Sequence, residues 1–446
     1  MRLAPGLVAL AWLSPLAARA DDPPTSHDVQ SVLEARIAGL EEQLRALAAT
    51  SEAALTAASA AEAAKDPMFR LYGFIDVGLQ KLWATDDPVT PTQKTTFVLG
   101  NVNLYFDFRP APDWGSLVEV RLTNYPNGDY SYGISDIGID YSRTDTTTAD
   151  PGNGEGHDTL RWGSIVLERA YIQWQKSARL GVRVGQFLTP YGIWNVDHGT
   201  PTLISLFRPF FQANEMFPEH QLGVEAFGRF DDVVHDHWAL DYHAYVSNGR
   251  TPGVVALTDG KMIGGRLVAS TSRPYAMAFG VSALRGHYLD QAIDVSAITG
   301  ETTRPTTVSY DEVGLGVDAS VDLGPLRLRG EAALRNKRYG AGQRERSWAP
   351  GVYTADGNES DAYVLAAYRI AHTRFEPYLY GEWYHWPTPL GEDALTGSVG
   401  LNTYFTPAIQ LKLQFSLSDR ITGRDPRLLG FDARAEFLAG KLVMGF

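Results

Sequence analysis

The sequence predicts an all-β fold: a transmembrane, antiparallel, up-and-down β-barrel of about 16 strands, preceded by a short periplasmic coiled-coil helix. Residues 437–446 form an apolar segment that ends on an aromatic residue, with Leu442, Met444 and Phe446 on one face. The closing strand of an outer-membrane barrel presents such a stripe to lipid, and its terminal aromatic belongs to the interfacial girdle. Elsewhere, apolar and polar residues alternate with a period of two, and long connections alternate with short ones.

Residues 1–20 have the features of a secretory signal peptide. Arg2 precedes an apolar stretch, and the small residues of segment 18–20 predict cleavage after Ala20. The stretch is too short for a comfortable membrane span, and no later segment supplies roughly 18 unbroken apolar residues. We therefore expect an exported chain that crosses a membrane with strands.

The composition fits a barrel and excludes several other classes. The 21 Tyr, 19 Phe and 10 Trp residues suit interfacial girdles, and the absence of Cys excludes disulfides and thiolate metal sites. Removal of residues 1–20 takes away two of the 39 basic residues and none of the 52 acidic ones, which leaves 37 against 52, a net charge of −15. Such an acidic chain is not expected to bind nucleic acid.

Residues 21–66 are predicted to form a helical periplasmic segment, which Pro67 ends. Two heptads with an Ala-rich extension favour a coiled coil that joins several protomers. A lone amphipathic helix or a flexible tether is the alternative, because a sustained coiled coil needs about three heptads or more. The predicted oligomerisation positions, spaced alternately by four and three residues, are Leu33, Ile37, Leu40, Leu44 and Leu47.

Residues 67–446 are predicted to be one barrel domain. Strict alternation of long and short connections is typical of up-and-down barrels with both termini in the periplasm, and barrels of about 16 to 18 strands enclose an aqueous lumen. The predicted strands are 68–84, 96–109, 115–124, 160–176, 178–189, 220–231, 236–247, 261–271, 274–286, 308–323, 325–337, 360–372, 374–386, 395–405, 407–419 and 431–446.

Three short segments resemble the phosphate-selective porin O and P family and the related trimeric DcaP-like porins. They are 71–76 (Leu-Tyr-Gly-Phe-Ile-Asp), 183–192 (Arg-Val-Gly-Gln-Phe-Leu-Thr-Pro-Tyr-Gly) and 217–223 (Phe-Pro-Glu-His-Gln-Leu-Gly). The resemblance implies a homotrimer of water-filled barrels in the bacterial outer membrane, through which small hydrophilic solutes or ions diffuse passively. It does not by itself imply phosphate as the solute.

Strand parity places nine cations and nine acids in the lumen. A pure phosphate path would need cations in excess, so a mixed wall argues against it. Pairing across neighbouring strands would simply stiffen a wet lumen, and this interpretation competes with a role in permeation. The cations are Arg121, Arg169, Arg183, Arg229, Arg266, Arg327, Arg329, Arg335 and Lys412; the acids are Asp76, Asp107, Glu119, Glu225, Asp241, Glu312, Asp318, Glu331 and Glu376.

The composition of two long loops suggests how each is placed. Loop 190–219 is rich in Pro and aromatic residues, so it is expected either to fold inward and narrow the pore or to latch over a neighbouring protomer. Loop 125–159 is acidic but lacks the 12-residue calcium-loop spacing, so a solvated loop is expected. If loop 190–219 folds inward, the residues near the constriction would be Asp197, His198, Arg208 and Glu215.

No catalytic, metal or cofactor site is predicted. His237 and His243 share strand parity but lie six residues apart, roughly 20 Å along a strand. Ser282 with His287 is a candidate for the Ser–His pair that a rim-active lipid hydrolase would need. That enzyme, and a structural tether acting through the periplasmic helix, are the alternatives to a diffusion channel.

Overall fold

A computed structural model describes residues 68–85, 95–123, 164–196, 199–213, 216–234, 237–250, 260–291, 294–295, 299–303, 306–343, 356–387, 392–422 and 433–446. The predicted signal peptide, the helical segment with its five seam positions, and loop 125–159 lie outside these residues, as do Asp197, His198 and Glu215. Among the residues described, no helix has the length and apolar character needed to span a membrane.

Sixteen strands form a closed antiparallel barrel, as the sequence predicts. Each strand pairs with its neighbours in the chain, β9 pairs with β12, and β1 pairs with β18 to close the sheet. The barrel strands are β1 (Phe69–Thr85), β2 (Thr96–Ala111), β3 (Trp114–Thr123), β4 (Ser164–Ser177), β5 (Leu180–Leu188), β6 (His220–Val234), β7 (Trp238–Ser247), β8 (Met262–Thr271), β9 (Ala276–Gln291), β12 (Thr306–Leu323), β13 (Leu326–Tyr339), β14 (Gly357–Tyr368), β15 (Phe375–Trp386), β16 (Glu392–Thr406), β17 (Ile409–Thr422) and β18 (Ala433–Gly445).

Three elements of the described residues lie outside the barrel wall. The two-residue strands β10 (Asp294–Val295) and β11 (Thr302–Thr303) form a small separate sheet between β9 and β12. A short helix, α1 (Phe210–Ala213), lies in the connection between β5 and β6.

The connections alternate in length around most of the barrel, which defines a short-turn mouth and a long-loop mouth. The exception is at β15, where the connection 369–374 at the short-turn mouth is one residue longer than the connection 387–391 at the other. The short turns include residues 178–179, 324–325 and 407–408. At the long-loop mouth several strands continue beyond their predicted ends; β9 reaches Gln291, five residues past the predicted end at 286. These extensions are largely polar, so the apolar alternation that marks a strand in the sequence stops before the backbone pairing does.

The two faces of the wall differ as the period-two pattern predicts. On β17, Lys412 and Gln414 point inward and are buried, whereas Leu413 and Phe415 point outward and are 41% and 39% exposed. On the last strand, Leu442 and Met444 are outward and exposed to a similar degree. The outer surface is therefore apolar, and the polar side chains line the lumen.

Phe446 takes part in closing the barrel. Its backbone N–H donates to the carbonyl of Gly73 and its carbonyl accepts from the Gly73 N–H, both at 3.0 Å. Its ring is exposed on the outer surface. Phe446, which the sequence assigns to the closing strand, thus forms the last backbone pair with β1.

Candidate functional site: the lumen and its inward loop

The lumenal cations face carboxylates on the adjacent strand or on the strand beyond it. Eight of the nine predicted cations have an acidic partner within ion-pair distance. The pairs are Arg121–Glu168 (2.6 Å), Arg169–Glu119 (2.5 Å), Arg183–Glu225 (3.3 Å), Arg229–Asp241 (2.9 Å), Arg266–Asp318 (2.7 Å), Arg327–Glu376 (3.2 Å), Arg329–Asp322 (2.6 Å) and Arg335–Glu359.

The ninth cation, Lys412, is fully buried and donates from Nζ to the backbone carbonyl of Leu203 in loop 190–219. Two of the predicted acids contact groups that parity did not assign to the lumen. Glu312 pairs with Arg250 at 2.6 Å, and Asp76 with Lys441 at 3.4 Å. A buried charge is costly unless it is paired or hydrogen-bonded, so this mutual neutralisation stabilises a polar interior.

A β-bulge explains one lumenal acid that parity misses. The register between β3 and β4 shifts between Glu119 and Val120. Arg169 pairs with Glu119 before the shift, and Glu168 reaches Arg121 after it. Adjacent residues on a regular strand point to opposite faces, and the extra residue of a bulge removes that constraint.

The described residues of loop 190–219 lie inside the barrel, where they bond to wall side chains of five strands. Backbone amides of the loop donate to inward carboxylate and amide oxygens, and its carbonyls accept from inward donors. The contacts are Trp194 N to Glu331 (3.0 Å), Leu206 N to Gln414 (2.7 Å), Phe210 N to Glu382, Thr200 Oγ1 to Asp76 (2.8 Å), Asn402 to the Ile204 carbonyl (3.0 Å) and Gln410 to the Pro201 carbonyl (3.1 Å).

The apolar side chains of the loop pack on an aromatic part of the lumen wall. Phe211 stacks at 6.4 Å on Tyr363 of β14, and Phe207 contacts Phe437 of β18 with ring centroids 4.6 Å apart. Within the loop, Tyr191 stacks on Phe217 at 4.5 Å. This burial removes from water the apolar surface that the loop composition would otherwise expose.

Three acids beneath the loop have no ion-pair partner among the described residues. They are Glu331, Asp361 and Glu382, each at most 5% exposed. Glu331 accepts from the Tyr363 hydroxyl at 2.5 Å as well as from the Trp194 amide. The loop therefore supplies backbone donors to two of these acids, Glu331 and Glu382, which form no ion pair with the described residues.

Arg208 contacts the end of loop 190–219, next to the first residue of β6. It approaches Glu219 at 3.6 Å, and the neighbouring His220 Nε2 lies 2.5 Å from Glu168. Ligand atoms of Glu168, Glu219 and His220 lie within 4.8 Å of one another. Both oxygens of Glu168 already contact Arg121 and His220, so the geometry is that of an ion-pair network.

The wall of β1–β7 carries aromatic rings interleaved with guanidinium groups. Tyr72 and Tyr105 stack at 4.9 Å with nearly parallel planes. The Arg183 guanidinium lies 4.6 Å from the Tyr171 ring centroid and 4.4 Å from that of Phe227. Cation–π contacts of this kind hold the guanidinium in a fixed orientation on the lumen wall.

Ser282 and His287 do not form a catalytic pair. Ser282 is buried on the inward face of β9, opposite Arg266 in the register. His287 belongs to the outward face, where its Nδ1 lies 2.9 Å from Asp311. Residues five positions apart on one strand point to opposite faces, so the hydroxyl and the imidazole are on different sides of the wall.

Comparisons with known proteins find similar folds but no matching family. No model of a known protein family matches the chain. A segment of 90 residues is 31% identical to an uncharacterized protein of Aquifex aeolicus (strain VF5), and the match covers 20% of this chain and only 19% of that protein.

Among solved structures, an anion-selective porin from Comamonas acidovorans is 11% identical with a TM-score of 0.50, over 85% of this chain and 99% of that one. OmpT of Vibrio cholerae, an outer-membrane protein, is 10% identical with a TM-score of 0.50, over 86% and 99% of the two chains. The outer membrane channel DcaP of Acinetobacter baumannii is 11% identical with a TM-score of 0.49, over 85% and 97%. At these identities the first two comparisons demonstrate a shared fold.

Proposed function

We propose that the protein is an outer-membrane diffusion channel that passes small hydrophilic solutes or ions through a mixed-charge lumen. The observation that carries the proposal is the contrast between the two faces of the closed barrel. Outward side chains such as Val317 and Val364 are apolar and exposed, and inward ones are charged and paired. Such a wall suits lipid outside and water inside, with the short-turn mouth in the periplasm.

We place the conduction path between loop 190–219 and the wall of β1–β7. The loop bonds to β1, β13, β15, β16 and β17, so it occupies that side of the lumen. On the other side, the inward side chains of Arg229 and Asp241 keep contact with solvent and are 46% and 28% exposed. Arg208, which pairs with Glu219 just before β6, and Arg183 on β5 would then both border this path.

The paired charges support weak selectivity between cations and anions. The Comamonas acidovorans barrel is described as anion-selective, and the sequence resemblance includes phosphate-selective porins. Neither property is proposed here, because eight of the nine predicted lumenal cations have a carboxylate partner. The acidic net charge gives cations a slight advantage at the mouths.

A homotrimer is part of the proposal. The heptads of Leu33 to Leu47 would join three helices in the periplasm, and the apolar outward faces of the barrels would supply the remaining contact. Both features support an assembly in which each protomer keeps its own lumen.

Single-cysteine labelling in planar bilayers tests the channel directly, because the chain has no Cys of its own. Gln173 lies on the inward face of β4 beside Arg183, and its neighbour Ile172 is 59% exposed on the outer face. A charged, membrane-impermeant thiol reagent should reduce the single-channel current of Gln173→Cys and leave that of Ile172→Cys unchanged.

Two results would contradict the proposal. The first is a folded protein without conductance in the bilayer. The second is a current that changes equally, or not at all, in both cysteine variants, because the current would then not pass along the inner wall.

A further inference from the structure

A groove runs along the outer wall over β8, β9 and β12. It has a volume of 1050 Å³. Its sides are outward aliphatic residues that are 48–60% exposed, and its floor is formed by the small residues Gly265 and Ala283. A Cβ at Gly265 would lie 2.5 Å from the carbonyl oxygen of His243, so the floor is too close to the backbone for a side chain there. The aliphatic residues are Ile263, Leu267, Val281, Leu315 and Val317.

Cations gather where this groove meets the long-loop mouth. Arg285 is opposite Ile263 in the register, and Arg338 is opposite Asp311 on the neighbouring pair of strands. Both arginines are exposed, and neither has a hydrogen-bond or ion-pair partner within the described residues. Lys261 lines the same groove. The described acids near these three cations are Asp311 and Asp356, which accepts from the Tyr339 amide beside Arg338, so the local charge is about +1.

The pairing of these cations differs from that of the lumenal arginines. Inside the barrel, Arg266 of β8 lies 2.7 Å from Asp318. On the outer face of the adjoining strand, Arg285 is exposed and forms no ion pair with another described residue. An exposed cation next to an apolar groove suits a ligand that carries both an anionic group and a hydrocarbon chain.

The height of Arg285 matches the position of lipid headgroups. It lies nine residues along β9 from Ala276, at the short-turn end of the strand. At roughly 3.3 Å per residue and a tilt of about 40°, this corresponds to roughly 23 Å along the barrel axis, close to the apolar band of about 25 Å. The groove therefore spans the outer half of the band, and its cations lie at the outer interface.

We propose that this groove binds a phosphorylated lipid of the outer leaflet. The phosphate pairs with Arg285 and Arg338, and one acyl chain lies over Gly265 and Ala283 between the aliphatic sides. The inference rests on the outer-membrane location in the proposed function. It adds a specific lipid site on the outer wall, away from the conduction path.

The test uses the full chain folded in detergent and titrated with lipid A, with bound lipid counted by native mass spectrometry. The double variant Arg285→Glu/Arg338→Glu should bind lipid A at least about tenfold more weakly than the parent, because two attractive charges become repulsive. Arg374→Glu is the matched control, since it reverses an exposed cation near the short-turn mouth. This control should bind as the parent does.

A second variant tests the acyl part without changing the charge. Ala283→Phe fills the floor of the groove from the lipid side, so it should weaken lipid A binding while both arginines remain. Phosphatidylcholine of equal chain length should bind the parent at least about tenfold more weakly than lipid A, because its headgroup has no net negative charge. Inorganic phosphate at millimolar concentration should not displace lipid A.

Equal affinity of the parent and the charge-reversal variant would overturn the proposal, as would displacement by inorganic phosphate or equal binding of phosphatidylcholine. If Arg285→Glu/Arg338→Glu does not fold, as judged by heat-modifiable migration, Ala283→Phe and the two competitors still decide the question. The bilayer conductance of the parent is measured in parallel. Normal conductance with failed lipid binding refutes this site alone, and absent conductance refutes the channel.

Discussion

Removal of two lumenal carboxylates should make the pore anion-selective. Glu119 and Glu225 are each 1% exposed and balance Arg169 at 2.5 Å and Arg183 at 3.3 Å. The double variant Glu119→Gln/Glu225→Gln keeps the side-chain shapes and leaves the two guanidinium groups uncompensated. It thus adds a net charge of +2 to the wall that we assign to the conduction path.

The size of the effect follows from the barrel geometry. Sixteen strands spaced by about 4.8 Å and tilted by about 40° give a backbone radius of roughly 16 Å, and the side chains bring their charges to roughly 10 Å from the axis. At that distance one unit charge in water is worth about 0.4 kcal/mol, which screening at about 0.1 M salt reduces to about 0.15 kcal/mol. Two charges then change the ratio of anions to cations roughly threefold, which corresponds to a shift of about 20 mV in a tenfold salt gradient.

The assay is the reversal potential of single channels in a planar bilayer under a KCl gradient. The shift should be in the anion direction and should fade above roughly 1 M salt, where the screening length falls to about 3 Å. Asp311→Asn/Glu436→Gln removes the same charge from the outer wall and should leave the reversal potential unchanged. A folded lumenal variant with an unmoved reversal potential, or an equal shift in the control, would refute the placement of the path.

Two further predictions concern assembly. Deletion of Phe446 should lower the yield of folded, heat-modifiable barrel far more than deletion of loop 125–159. Phe446 forms two backbone hydrogen bonds with Gly73, whereas the described strand pairing does not include the loop. Equal folded yields of the two variants would count against this role of Phe446. Leu40→Asp with Leu44→Asp should weaken trimers and leave the barrel folded, because a charge in a helical seam must be desolvated; an unchanged trimer mass in detergent would show that the barrel walls suffice for assembly.

The barrel itself is predictable from the sequence because its physical requirements are local. Every strand must show an apolar side chain to one face at every second position, and this repeats in each strand independently of the others. Parity alone therefore identifies the inward charges on regular strands, such as Arg266 and Asp318. Glu382 shares its strand and its parity with Glu376, so the same rule applies to it, although it is not among the nine predicted acids.

The remaining features depend on irregularities and on distant contacts. Glu168 faces inward because of a bulge, and the sequence shows no bulge signal there. Glu359 precedes the predicted start of its strand at 360, and Arg250 belongs to a predicted loop, so parity assigns neither to a face. The partners of loop 190–219 belong to strands that are distant in the sequence and come near the loop only in the closed barrel. The sequence of the loop therefore contains no pattern that identifies them. The inward position of Asp197, His198 and Glu215 stays a prediction.

The inward loop also constrains the order of folding. Its bonds to Gln410 and Gln414 join residues that are 209 and 208 positions apart in the chain, and the bond from Asn402 to the Ile204 carbonyl spans 198. Contacts of such sequence separation form only after the intervening chain has been arranged. The loop connects β5 and β6, yet it gains these partners only when β16 and β17 have joined the sheet. Complete seating of the loop therefore requires these late strands, so a half-assembled barrel would leave apolar side chains of the loop exposed.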